Sequence, residues 1–139
     1  MRIRELILNN VIVTSPCKQD EILYVSEKIK EYVIKNNLFP IGPVIYFYDG
    51  DETYKVAVQV DRPIEMEESD VLVYADRVVC KKCLYERVCE SDLLDTIYYE
   101  MKQTAKELGI DEKREFVNFS FDVYGETVTD VYYPIEEVN

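Results

Sequence analysis

The tripeptide Pro-Ile-Glu occurs twice, at residues 63–65 and 134–136, and each copy closes the same succession of elements. Ile3 to Val13 is rich in branched apolar residues and reads as a strand, which Ser15-Pro16 breaks. From about Gln19 to Lys35, Ile22, Val25, Ile29 and Val33 recur at helical spacing, with Glu21, Glu27, Lys28 and Lys30 turned to water. Asn36-Asn37 ends that helix, and Pro40-Ile41-Gly42-Pro43 predicts a turn. Val44 to Tyr48 and Tyr54 to Val60 then read as two strands joined through Asp49-Gly50-Asp51-Glu52.

The second half follows the same order. Val71 to Tyr85 reads as one long strand or two short ones. Ser91 is placed to cap a helix that runs to about Leu108, with a buried stripe of Leu94, Ile97, Tyr98, Met101, Ala105 and Leu108. Gly109 supplies its stop. Phe116 to Tyr124 and Thr127 to Pro134 are the last two strands, turning at Gly125-Glu126, and the tail from Glu136 to Asn139 is expected to fray. Two motif-level echoes support a duplication. Tyr48, Gly50 and Glu52-Thr53 recur in order as Tyr124, Gly125 and Glu126-Thr127, and the helices start about half a chain apart.

The expected fold is therefore α+β: a duplicated β-α-β-β unit forming an antiparallel sheet, with two helices on one face and an open concave face. The 139 residues make one domain, with half-repeats of about 1–66 and 67–139.

Composition narrows the function. Sixteen basic against 28 acidic residues leave a net charge of −12, which repels a phosphate backbone and disfavours direct nucleic-acid binding. Such a charge suits cationic partners. With no histidine, Ser-His and Cys-His catalysis and histidine metal sites are excluded. No run approaches the roughly 20 apolar residues of a membrane span, and the N-terminal run carries charges where a signal peptide has its apolar core, so the expected compartment is the cytoplasm. Twelve tyrosines and no tryptophan complete an unusual aromatic balance.

Strand alternation divides the side chains between two faces. Val117, Phe119, Phe121 and Val123 form one apolar set, as do Ile45 with Phe47 and Val56 with Val58 and Val60, and these are expected to meet the helices. The open face then collects Tyr46, Tyr48, Asn118, Ser120, Asp122, Tyr124, Asp130 and Tyr132. Aromatic walls with a carboxylate suit a flat organic cation, through stacking, cation–π attraction and a counter-charge. The plainer account of the same pattern is that tyrosine is a good strand former and that acids solubilise an exposed sheet.

Gly42-Pro43-Val44-Ile45-Tyr46-Phe47-Tyr48-Asp49, followed by a second strand and Pro63-Ile64, resembles the middle of GyrI-like small-molecule-binding domains. That superfamily includes the effector-binding domains of AraC- and MerR-type regulators. Phe121-Asp122-Val123-Tyr124 with Thr129 to Ile135 is similar to its closing pair of strands, and Arg77 to Leu108 to its fourth strand and second helix. The whole chain is also similar to short stand-alone proteins of Gram-positive bacteria. The resemblance implies a cleft between two half-repeats that binds cationic or amphipathic compounds, with Asp122 standing where the family often has glutamate. Some relatives hydrolyse electrophilic natural products with an acid and aromatic residues including tryptophan, which this chain lacks.

The expected function is non-catalytic binding of a small amphipathic, cationic ligand, without a cofactor and with no residue assigned to catalysis. The alternative is a protein-interaction module, an adaptor or immunity-type protein docking a basic partner through the same tyrosines. A hydrolase ranks third. Cys80-Lys81-Lys82-Cys83 with Cys89 lies on a strand, where residues three apart point to opposite faces unless the strand bulges, so a metal site is disfavoured and packing is the expected role. Asp61, Glu65, Glu67, Glu68 and Asp70 lack the alternation and central glycine of a calcium loop and read as a solvated connection.

Overall fold

A computed structural model describes residues 1–67, 69 and 71–139. Its elements are β1 (Arg2–Thr14), β2 (Cys17–Lys18), α1 (Ile22–Lys35), β3 (Pro40–Tyr48), β4 (Thr53–Val60), β5 (Leu72–Val88), α2 (Leu94–Glu107), β6 (Phe116–Val123) and β7 (Glu126–Pro134). The fold is α+β, with one antiparallel seven-stranded sheet and two helices. The expected stripe of α1 is buried at Val25, Ile29 and Val33. On α2, Met101 and Ala105 are buried, whereas Leu108 is 55% exposed and lies outside the packed stripe. Ser91 makes no side-chain cap; it opens a short 3-10 turn, Ser91–Leu93, that leads into α2. Both helices end in the same way. Asn37 (φ 53) and Gly109 (φ 84) take the left-handed conformation, and the next residue's N–H reaches back to Val33 and Ala105 respectively.

The sheet closes on itself. Its strand order is β1-β5-β7-β6-β3-β4-β2, and β1 also pairs with β4. Val11, Ile12 and Val13 face Gln59, Val58 and Ala57 of β4 on one side and Ala75, Tyr74 and Val73 of β5 on the other. The six long strands thus form a ring of pairings. Cross-strand partners lead from Val73 through Val13, Ala57, Ile45, Phe119 and Asp130 back to β5 at Arg87, near its other end. The strands are therefore steeply staggered, as closure of a small barrel requires. Exchanging β1, β3 and β4 for β5, β6 and β7 maps this set of pairings onto itself.

Closure changes which face is which. The inner face holds Leu6, Leu8, Val11, Ile45, Ala57, Cys80, Cys83 and Val117, all buried, with Phe47, Phe119 and Tyr132 packed against them. No helix residue joins that cluster. Both helices lie outside the ring. Helix α1 covers Ile12, Val56, Val58 and Val60, and α2 covers Leu84, Val88, Phe116, Val131 and Tyr133. The inner face is packed at its centre by these side chains, while Leu6, Phe47, Val78 and Val117 also line a hollow of about 420 Å³ together with Glu112, Lys113, Arg114 and Glu115. Val117 and Phe119 point into the ring instead of toward a helix. The reason is physical: in a closed sheet both faces are buried, so an apolar alternate set does not reveal which side the helices take.

Three local expectations also change. Pro40 to Pro43 is the start of β3, irregular around Gly42 (φ 80), and not a free turn. The β6–β7 turn is Tyr124-Gly125, both at positive φ between the paired Val123 and Glu126. The tail is held, since Asn139 exchanges two backbone hydrogen bonds of 2.9 Å with Val79. Asp61, Glu65 and Glu67 are exposed as expected of a solvated connection, while Glu68 and Asp70 lie outside the described residues. Among the described residues no helix is long and apolar enough to cross a membrane.

Candidate functional site

The eight residues expected on one open face occupy three separate places. Tyr46, Tyr48, Asn118 and Ser120 lie on the outer face, beneath and between the helices. Tyr48 stacks on Tyr54 with ring centroids 4.6 Å apart and lies 5.2 Å from Tyr98 of α2. The Tyr98 hydroxyl donates to Asn118 Oδ1 at 2.9 Å, and Asn118 Nδ2 donates to the Tyr46 carbonyl at 3.2 Å. Ser120 and Thr129 share a 3.2 Å hydroxyl contact across β6 and β7. These polar groups satisfy one another under α2, which is how a polar strand face comes to be buried there. Burial, then the neighbouring tyrosines and Asp95, push the Tyr98 hydroxyl well above the ordinary tyrosine value. It is a hydrogen-bond donor here and not a base.

Asp130 and Tyr132 do lie on the face away from the helices, as expected, at one mouth of the ring. Asp130 is 8% exposed and fully engaged. Arg87 grips it with Nε at 2.7 Å and a terminal nitrogen at 3.0 Å, and the Tyr85 hydroxyl donates to it at 2.9 Å. Burial opposes ionisation of Asp130, but Arg87 and Tyr85 outweigh it and hold the carboxyl below the ordinary range. Tyr132 leans on Tyr85 at 5.0 Å and meets Phe119 edge-on at 5.5 Å. Asp122 and Tyr124 form the third place, the exposed end of the β6–β7 hairpin. Tyr124 is wholly in solvent.

The cysteine pair is arranged against expectation. The β1–β5 register shifts between Arg4 and Leu6, and this irregularity puts Cys80 and Cys83 together in the inner cluster, both fully buried. Burial first, then the adjacent Cys80 thiol, pushes the Cys83 thiol far above its ordinary value, so Cys83 is not poised as a nucleophile. Cys89 is exposed elsewhere. Among the described residues no three Cys, Asp or Glu side chains converge as metal ligands would.

Among the concavities of the described residues, two that the sequence does not disclose bear on binding. One is a groove of about 430 Å³ on the outer flank of α1, walled by Ile29, Val33 and Ile34 of the helix and by Pro40, Val44 and Val56 of β3 and β4, with Glu27 and Lys30 on its rim. The other is a polar hollow of about 410 Å³ at the ring mouth beside Asp130, lined by Arg2, Arg4, Tyr85, Glu86 and Arg87. The arginines are far apart in sequence and only the β1–β5 register brings them together.

The chain folds as an α+β domain, and the described residues leave these two hollows on its surface. No protein-family model matches the chain. No curated protein matches it either.

Proposed function

We propose that this chain is a non-catalytic binding domain for a small amphipathic organic cation, acting in the cytoplasm. The observation that carries the reading is the apolar groove along α1, whose about 430 Å³ suits a compact organic molecule, with Glu27 and Lys30 among its lining residues. The net charge of −12 favours a cation over an anion at such a surface. The resemblance to GyrI-like domains supports the same class of ligand, and the matching pairings of the two halves support a duplicated β-α-β-β unit. The seat of the ligand is moved from a cleft between the halves to the flank of α1, because side chains pack the centre of the inner face and charged residues Glu112, Lys113, Arg114 and Glu115 line the hollow beside it.

Tetraphenylphosphonium and tetraphenylborate, matched in size and opposite in charge, test this by thermal shift. The cation is expected to raise Tm saturably, by an amount near 2.7 kcal/mol of added stability at about a hundredfold over Kd. Ile34→Lys, at a groove residue that is 65% exposed and tolerant of change, is expected to abolish the shift. Equal responses to both ions, or a response unchanged by Ile34→Lys, would refute the groove as a cation site.

A second reading, docking of a basic protein partner, is favoured by Tyr124. An aromatic side chain held wholly in solvent at φ 50 beside Asp122 is costly to folding and available to a partner.

A further inference from the structure

Acidic residues dominate the chain, yet three of its six arginines meet at one place. Arg2 and Arg4 at the start of β1 and Arg87 near the end of β5 surround the hollow at the ring mouth. Arg2 stands opposite Tyr85, and Arg4 opposite Cys83, in the β1–β5 ladder.

The groups around the hollow are fixed by contacts that leave donors free. Arg87 spends two N–H groups on Asp130 and lies 5.2 Å from the Phe121 ring, so three of the five donors of a guanidinium remain. Arg4 is seated over the Tyr85 ring at 4.6 Å, an attraction that orients it without using its N–H groups. Among the described residues neither Arg2 nor Arg4 forms a direct ion pair with a carboxylate, although Arg4 is near enough to Asp130 to help hold it ionised. The one carboxylate lining the hollow, Glu86, contacts the Met1 amino group at 3.3 Å. Asp130 thus acts here as the clamp that aims an arginine, and the charge offered to a ligand is positive.

We propose that the ring mouth binds an oxyanion, the phosphate group of a small phosphorylated compound, through Arg2, Arg4 and the free edge of Arg87. Planar guanidinium forks match phosphate oxygens with paired, charge-assisted hydrogen bonds. A hollow of about 410 Å³ exceeds what a bare phosphate fills and leaves room for the organic part of the compound. This site shares no residue with the groove along α1, so the two readings stand or fall separately.

The test is titration of the full chain with phenyl phosphate and with inorganic phosphate, at constant ionic strength set by sodium chloride, read by 31P NMR and by Tm. Saturable binding is expected for phenyl phosphate, weakened at least tenfold by Arg4→Gln and by Arg2→Gln, both at exposed positions. Arg4→Lys, which keeps the charge and loses the fork, is expected to fall between. Lys106→Gln, on the exposed side of α2, is expected to bind as the parent does. Binding of both compounds with equal strength supports the oxyanion site and identifies the free ion as sufficient. Tighter binding of phenyl phosphate supports it and assigns the organic source. Absence of saturable binding by either compound, or binding that Arg2→Gln and Arg4→Gln leave intact, would overturn the proposal.

Discussion

Single residues carry most of the strain and charge that experiments can reach. Tyr124 and Gly125 are the two central residues of the β6–β7 turn, with φ of 50 and 86. Such a turn prefers Asn-Gly, because an aromatic L-residue pays roughly 1–2 kcal/mol to sit in the left-handed region. Tyr124→Asn is therefore expected to stabilise the protein by up to about 1 kcal/mol in urea denaturation, and a loss of stability would count against the turn geometry. The carboxyls Asp49, Asp61 and Asp130 set the acid limit. At Asp49 burial works against ionisation, but the N–H groups of Asp51, Thr53 and Glu52 and the nearby Lys113 prevail. Asp61 is held low by the Phe39 N–H and by Arg62, and Asp130 by Arg87 and Tyr85. Each is depressed in the folded state, so the unfolded chain binds protons more readily. The stability they contribute is present above the ordinary carboxyl value near 4 and drains away as pH falls through the lower folded values. Tm is expected to be flat from pH 7 to 5 and to drop below about pH 4, with a shallower drop in Asp130→Asn. The sequence places Asp130 and Tyr132 together on the face away from the helices on the ground that a charge avoids the core, yet Asp130 is buried there. That an arginine 43 positions away in the chain would claim Asp130 was not legible, because the pairing rests on the β5–β7 register.

At the scale of elements, the sequence disclosed what is local. The apolar stripe of α1, the hairpin at Asp49 and the stop at Gly109 follow from spacing, from an aspartate that caps three N–H groups, and from a residue free to adopt φ 84. What alternation could not supply was the sense of each strand's faces. Phe116 was read as the edge of a strand, yet it is fully buried against Tyr98 at 4.4 Å and Tyr133 at 4.6 Å, the anchor on which α2 sits. Phe116→Ala is expected to cost roughly 3–5 kcal/mol, and Phe119→Ala, on the partly exposed inner side, distinctly less. Chemical denaturation of both variants checks the assignment of faces, since the reverse order would place the helices on the other side. The irregularity in β5 was similarly hidden. A register shift of this kind has no sequence signature of its own, and it alone brings Cys80 and Cys83 to one side.

For the whole molecule, closure ties distant parts of the chain together. Strand β7, the last formed in sequence, lies between β5 and β6, and β1 contacts both β4 and β5. Few contacts are made by neighbouring residues alone, so folding is expected to be slow, in the millisecond-to-second range of β-rich domains. Unfolding is expected to be a single transition, with tyrosine fluorescence and far-ultraviolet circular dichroism tracing the same curve in denaturant; separate midpoints would show that the halves come apart independently. The order of strands and helices is legible in the sequence, but the closed circuit is not, because it depends on three pairs between β1 and β4 and four between β3 and β6. Those junctions have a further consequence. The two ladders that join the halves, β1 with β5 and β3 with β6, each set a strand against its own counterpart. That is the signature of an isologous contact, in which one patch meets a copy of itself. The pairings of the closed sheet thus have the connectivity of a two-fold symmetric dimer, while the residues at the two mouths of the ring need not match, and Arg2, Arg4 and Arg87 gather at one of them.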